Sequence, residues 1–350
     1  MFKKATLLAL AGSALLATPA AQAGLKPEPR LCVYDLLGSA GDIYNMAKDY
    51  AVAAQRDGVR FALKSYTDER VATQDFQAGQ CDAVFATGLR TRPFNPISGA
   101  MDAFGVSTVG RNGKIDIEAG YDVVRKAVQT FSLPATARLM VNGQYEVGGI
   151  IPFGTAYPFV RDRNIDTVED LAGKKIATFD YDKTQAILAQ KIGAQPVSAD
   201  ITNFAAKFNN GAVDLIAAPA AAYRPLELYR GLGTNGTIHR FPFVVLTYQL
   251  ILNKNSFPEG FGIKSRQYWL TQNERAVALI RKAERDIPKA SWSEVSQKIL
   301  SDYTVLLRES RIAAAEQGIY DKQGLKILKR IRCSINAADA ECTSNSETWN

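Results

Sequence analysis

The residues able to do chemistry fall into separate groups. His239, the sole histidine, lies in Thr237-Ile238-His239-Arg240 with no nucleophile motif beside it. A Ser-His-Asp or Cys-His arrangement needs a base oriented next to an activated oxygen or sulfur. The sequence contains no GxSxG, GxxxxGK[ST] or HExxH motif, so catalysis has no motif to carry it. Cys32, Cys81, Cys333 and Cys342 show no CxxC spacing; with one histidine they do not form a zinc set, and neither metal nor cofactor is expected. What remains is a scatter of side chains suited to holding a small polar molecule. Asp35, Asp180 and Asp182 offer carboxylates, Arg70, Arg90 and Arg92 offer guanidinium groups, and Thr87 and Thr178 offer hydroxyls. Phe153, Tyr157, Phe179 and Tyr181 offer aromatic walls, and Pro219 ends an apolar run.

The elements that must position these residues follow from hydrophobic patterning. Leu31-Cys32-Val33-Tyr34, Phe61 to Tyr66 and Ala83-Val84-Phe85-Ala86 read as buried strands separated by helical stretches, which predicts βαβ units and a parallel sheet. The pattern returns in Val147 to Ile151, Lys174 to Thr178 and Val213 to Ala218, with a capped turn of helix at Thr167 to Gly173 and helices at Lys183 to Ile192 and Phe204 to Asn210. Phe243 to Asn253 reads as a long strand. From Asn273 onward the chain reads as helical, with helices near Ala276 to Ile287, Trp292 to Gln317 and Asp321 to Arg332. The tail from Asn336 is expected to be loose. In open α/β sheets ligands sit beyond the carboxyl ends of the strands. The candidate residues cluster in such places, at 35–42, 68–70, 87–92, 178–181 and 218–223.

Composition sets the compartment and the partners. Lys3 and Lys4, an apolar run from Leu7 to Leu16 and Ala21-Gln22-Ala23 have the form of an export signal over residues 1–23. Four cysteines in an oxidising compartment favour two disulfides, with three pairings possible. A doubly wound sheet makes the strands that carry Cys32 and Cys81 neighbours, which pairs those two and leaves Cys333 with Cys342. The net charge of +7 over 350 residues is small, and nucleic acid is not an expected partner.

The segment Ile165-Asp166-Thr167-Val168-Glu169-Asp170-Leu171-Ala172-Gly173-Lys174-Lys175-Ile176 resembles the "eDLkGkKi" stretch of periplasmic solute-binding proteins. Gly193-Ala194-Gln195-Pro196-Val197, followed by Asn210-Gly211-Ala212-Val213-Asp214, is similar to the DctP-like proteins that serve tripartite ATP-independent periplasmic (TRAP) transporters. Within that family the chain most resembles a divergent group, some of whose members are named AdeT and associated with efflux. The resemblance implies a type II, two-lobed α/β fold with parallel-rich sheets, crossing strands and C-terminal helices. It implies lobe 1 over 24–149 with a strand return near 243–253, lobe 2 over 150–242, and helices over 254–350 packing across both. The implied role is a monomeric, non-enzymatic periplasmic protein that captures an organic acid or similar metabolite and delivers it to a membrane transporter subunit. An accessory or sensor subunit of an efflux-type complex is the alternative. Where the family carries a carboxylate-clamping arginine this chain has Ala177, so Arg90 or Arg92, or else Arg70, is expected to substitute.

Overall fold

The computed structural model describes residues 28–111 and 114–349; the expected export signal lies outside them. The apolar run after Arg30 forms β1 (Arg30–Tyr34), buried from Leu31 on. It is followed by α1 (Asp42–Ala54), β2 (Ala62–Tyr66), α2 (Glu69–Gln77) and β3 (Ala83–Thr87). β1 runs parallel to both β2 and β3, with Leu31 opposite Leu63 and Ala83. Beyond α3 (Ile117–Phe131), β4 (Tyr145–Val160) continues for 16 residues. At roughly 3.3 Å per residue it spans about 50 Å, enough to run from one lobe into the other.

The second lobe holds β5 (Lys175–Phe179), α4 (Lys183–Lys191), β6 (Gln195–Ala199), α5 (Phe204–Asn209) and β7 (Leu215–Pro219). The chain returns through β8 (Val244–Asn253), then α6 (Phe261–Thr271), α7 (Asn273–Arg285), α8 (Gln297–Glu316) and α9 (Lys322–Ile335). One sheet links both lobes in the order β2-β1-β3-β8-β4-β7-β5-β6. The fold is therefore the two-lobed type II arrangement, with β4 and β8 as crossing strands. α8 starts at Gln297 rather than at Trp292, because Trp292-Ser293 pair instead with Ile238-His239 as short strands.

The crossing is irregular where the lobes meet. Leu246 lies opposite Gly154 and Thr247 opposite Pro152, so Phe153 is left over as a bulge. Bulges bend a strand and re-aim a side chain. The neighbouring Gly154 has φ +146°, a conformation that only glycine adopts without strain.

Cys32 is joined to Cys81 with Cα atoms 6.0 Å apart, and Cys333 to Cys342 at 5.5 Å. The tail differs from the sequence reading: it is anchored, not loose. Arg311 donates to Glu347 at 2.6 Å and Glu341 at 2.7 Å, and Arg332 donates to Glu341 at 2.6 Å. All four side chains are buried. A polar tail reads as solvated only if its charges lack partners, and these partners lie on α8 and α9.

Candidate functional site

A cavity of about 110 Å³ opens between the lobes, at the carboxyl ends of β3, β5 and β7. Thr87 ends β3 and caps a one-turn helix, Gly88–Thr91. Its hydroxyl donates to Glu69 Oε2 at 2.6 Å. Glu69 opens α2 and is 1% exposed. From the other lobe, the Tyr181 hydroxyl donates to Glu69 Oε1 at 2.7 Å. The Arg90 guanidinium lies 3.4 Å from the centre of the Tyr181 ring and 3.9 Å from Glu69. Burial pushes the Glu69 carboxyl above its ordinary range, against the bonds from Thr87 and Tyr181 and the Arg90 charge. Burial, and then the Glu69 charge, raise the Tyr181 hydroxyl well above its own range. Phe179 stacks on Tyr181 at 5.4 Å, extending the aromatic wall.

A second polar set joins the lobes beside the first. Asp182 caps α4, accepting from the Thr184 N–H at 3.1 Å and the Thr184 hydroxyl at 2.6 Å. It also meets Arg92 at 3.2 Å. The Arg92 guanidinium sits 4.8 Å from the Tyr320 ring centre, and the Tyr320 hydroxyl donates to Thr184 at 3.1 Å. Asp102, also on the cavity wall, accepts from the N–H and the hydroxyl of Thr247 at 2.7 and 2.5 Å. Burial raises its pKa to about 7.

Of the residues singled out from sequence, Thr87, Phe153, Thr178, Phe179, Tyr181, Asp182 and Pro219 line the cavity. Arg90 and Arg92 stand behind the wall, held by Tyr181 and Glu69 and by Asp182. The structure places the other four elsewhere. Asp35 is turned into its own loop, accepting from the N–H groups of Leu37, Ile43 and Tyr44 at the start of α1. Arg70 is exposed and pairs with its neighbour Asp68. Tyr157 is fully buried and donates to Glu284 at 2.8 Å. Asp180 is exposed, because successive residues of an extended segment face opposite ways and Phe179 and Tyr181 take the inner side.

Glu69, Asp102 and Gln185 were missed. Glu69 was legible: Glu69, Ala72, Thr73 and Phe76 are buried together on α2, the i, i+3, i+4, i+7 face that packs inward. Gln185 was legible in the same way, standing three, four and seven residues before Leu188, Ala189 and Ile192 on the α4 face that lines the cavity. Asp102 follows no such pattern. His239 is a satisfied core residue, bonded to the Ile165 carbonyl at 2.7 Å and to Ser293 at 2.9 Å. Among the described residues no group of His, Cys, Asp or Glu is arranged to hold a metal, and no helix is long and apolar enough to cross a membrane.

The family model "Solute-binding protein AdeT 1/2" matches residues 51–347. The chain belongs to this family. It is 42% identical over 315 residues to "Probable solute-binding protein AdeT1" of Acinetobacter baumannii, covering 90% of this chain and all of that one. Its fold matches a TRAP periplasmic solute-binding protein from Ralstonia eutropha H16 with bound (S)-2-acetolactate, at TM-score 0.69 and 14% identity. It also matches one from Desulfovibrio salexigens with bound orotic acid, at TM-score 0.66 and 14% identity. In both cases the match covers 89% of this chain and all of the other. The chain is thus a solute-binding protein of the AdeT family, and its fold is that of the TRAP-type, DctP-like solute-binding proteins.

Proposed function

We propose that this AdeT-family protein is an exported, non-catalytic monomer that closes on one small organic acid or similar metabolite in the interlobe cavity and presents it to a membrane transporter. The observation that carries this reading is the set of contacts drawn across the cavity: Tyr181 to Glu69, Arg90 to Tyr181 and Arg92 to Asp182. Each joins the two lobes directly around the space a ligand would fill, which is how hinge closure commits a bound molecule. The acids held by proteins of the same fold fit an anchor at Arg90, whose Nε is buried without a hydrogen-bond partner. An anion arriving beside Glu69 raises the Glu69 pKa further, so capture takes up a proton and tightens as pH falls.

Native mass spectrometry of the protein taken from the periplasm tests the reading, with one small ligand per chain expected. Thermal shifts against a panel of organic acids follow from the same reading. No bound mass together with no shift for any acid would overturn it. Arg90→Ala is expected to weaken a responding acid by at least tenfold, since losing one partner of a desolvated charge pair costs about 2–5 kcal/mol; a change under threefold would remove Arg90 as the anchor.

A further inference from the structure

The sheet of the second lobe is parted. β5 and β7 run parallel but share a single register pair, Ile176 with Leu215. Beyond it β5 continues to Phe179 and β7 to Pro219, each paired over five residues with its outer neighbour, β6 or β4. The facing edges after Ile176 and Leu215 are therefore open. The Phe179 N–H goes to the Gln185 side chain at 2.8 Å instead of to a strand. Small residues, Ala177 and Ala217, flank the parting, and Ala217 is exposed.

The cavity passes through this gap. Alternate residues of a strand face opposite sides of a sheet. Ala177 and Phe179 pack with Phe204 and Ile201 in the core on one side. Ile176 and Leu215 pack with Leu188, Ile192, Leu306 and Tyr303 in the core on the other. Residues of both sets line the one cavity. The polar groups Glu69, Thr87 and Tyr181 gather at the cleft, whereas the far side between α4 and α8 is formed by Leu188, Ala189, Ile192, Leu306 and Tyr303. Gln185 is the one polar side chain of that α4 face, and its amide oxygen is taken by the Phe179 N–H.

Building on the reading of a cleft ligand, we infer that the solute is an amphiphile. Its polar head stays at the Glu69–Thr87–Tyr181 cluster, and its apolar chain threads between β5 and β7 to lie against Leu188, Ile192 and Leu306. A binding site that demanded a small polar acid alone would have no use for an aliphatic chamber behind the strand. Ala177 and Ala217, rather than larger residues, keep the passage open.

Two homologous series test this by calorimetry: straight-chain carboxylates from butanoate to decanoate, and 1-alkanols of the same lengths. Burying each added methylene raises affinity about threefold to fourfold until the chamber is full, so both series are expected to climb at that rate. Ala217→Phe closes the passage and Leu188→Gln makes the chamber polar; each should flatten the climb while melting within a few degrees of the parent. If the variants unfold, the parent's two series decide alone. Alcohols that climb while no acid binds would uphold the chamber and overturn the organic-acid reading of the cleft. Acids that bind with no dependence on length, alongside a flat alcohol series, would overturn the chamber and leave that reading intact.

Discussion

Asp102 shows how one buried side chain ties stability to pH. Both of its oxygens are occupied by Thr247, and burial outweighs those bonds and the nearby Arg92, with Asp182 adding to the upward shift. Its pKa rises from 3.8 to about 7. The folded state therefore holds a proton that the unfolded chain releases across this window. The stabilisation is complete below about pH 4 and is lost as pH rises through about 7. Asp102→Asn keeps an oxygen for the Thr247 N–H and offers an amide to the hydroxyl, without a charge to desolvate. The variant is expected to melt higher than the parent at pH 8 and to show a shallower fall in melting temperature between pH 5 and 8, read by circular dichroism. An unchanged slope would place the titration elsewhere. Glu69, shifted the same way, leaves some slope behind in either protein.

At the scale of elements, the C-terminal segment binds α8 and α9 to the first lobe. Arg311 on α8 also donates to the Phe104 carbonyl at 2.6 Å, and Arg332 on α9 to that of Val106 at 2.8 Å. Burial pulls the Glu347 carboxyl up, but the Arg311 charge and hydrogen bond, with the Arg332 and Lys329 charges, together outweigh it and hold the group below its ordinary range. Breaking a buried pair from one side leaves an uncompensated charge, at a cost of about 3–5 kcal/mol. Glu347→Ala is expected to lose roughly that amount in urea denaturation, and a loss under about 1 kcal/mol would mean water reaches Arg311. This anchoring was not legible in the sequence, since the pairing of residues 30 apart depends on how two helices pack. The strands were legible, because apolar runs such as Leu31 to Tyr34 are long enough to fix both type and burial. Among site residues, Thr87, Thr178 and Phe179 could be placed from their positions at or beside strand ends. Asp35 could not: a carboxylate that caps a helix and one that meets a ligand look alike until the loop around it closes.

For the whole molecule, the same contacts that would enclose a ligand also set how far the lobes lean together without one. The Arg92–Asp182 pair crosses the cleft with both partners buried, and the two sides of it are not equivalent. Remove Arg92, and Asp182 still accepts from Thr184 and from Gln185. Remove the Asp182 charge, and Arg92 keeps the Gly99 carbonyl and the Tyr320 ring, with an Nη2 that already lacks a partner. The cost of an unpaired buried charge falls on whichever group is less well satisfied. Asp182→Asn preserves the helix cap through its amide oxygen, yet it is expected to destabilise more than Arg92→Met, by roughly 3 kcal/mol against about half that. Arg92→Met/Asp182→Asn should recover to near the Arg92→Met value, because the orphaned charge is gone. Small-angle X-ray scattering should follow the same ranking, with the largest radius of gyration in Asp182→Asn, as Arg92 draws water into the cleft and the lobes part about β4 and β8. A double variant less stable than either single one would show that the pair acts independently of closure.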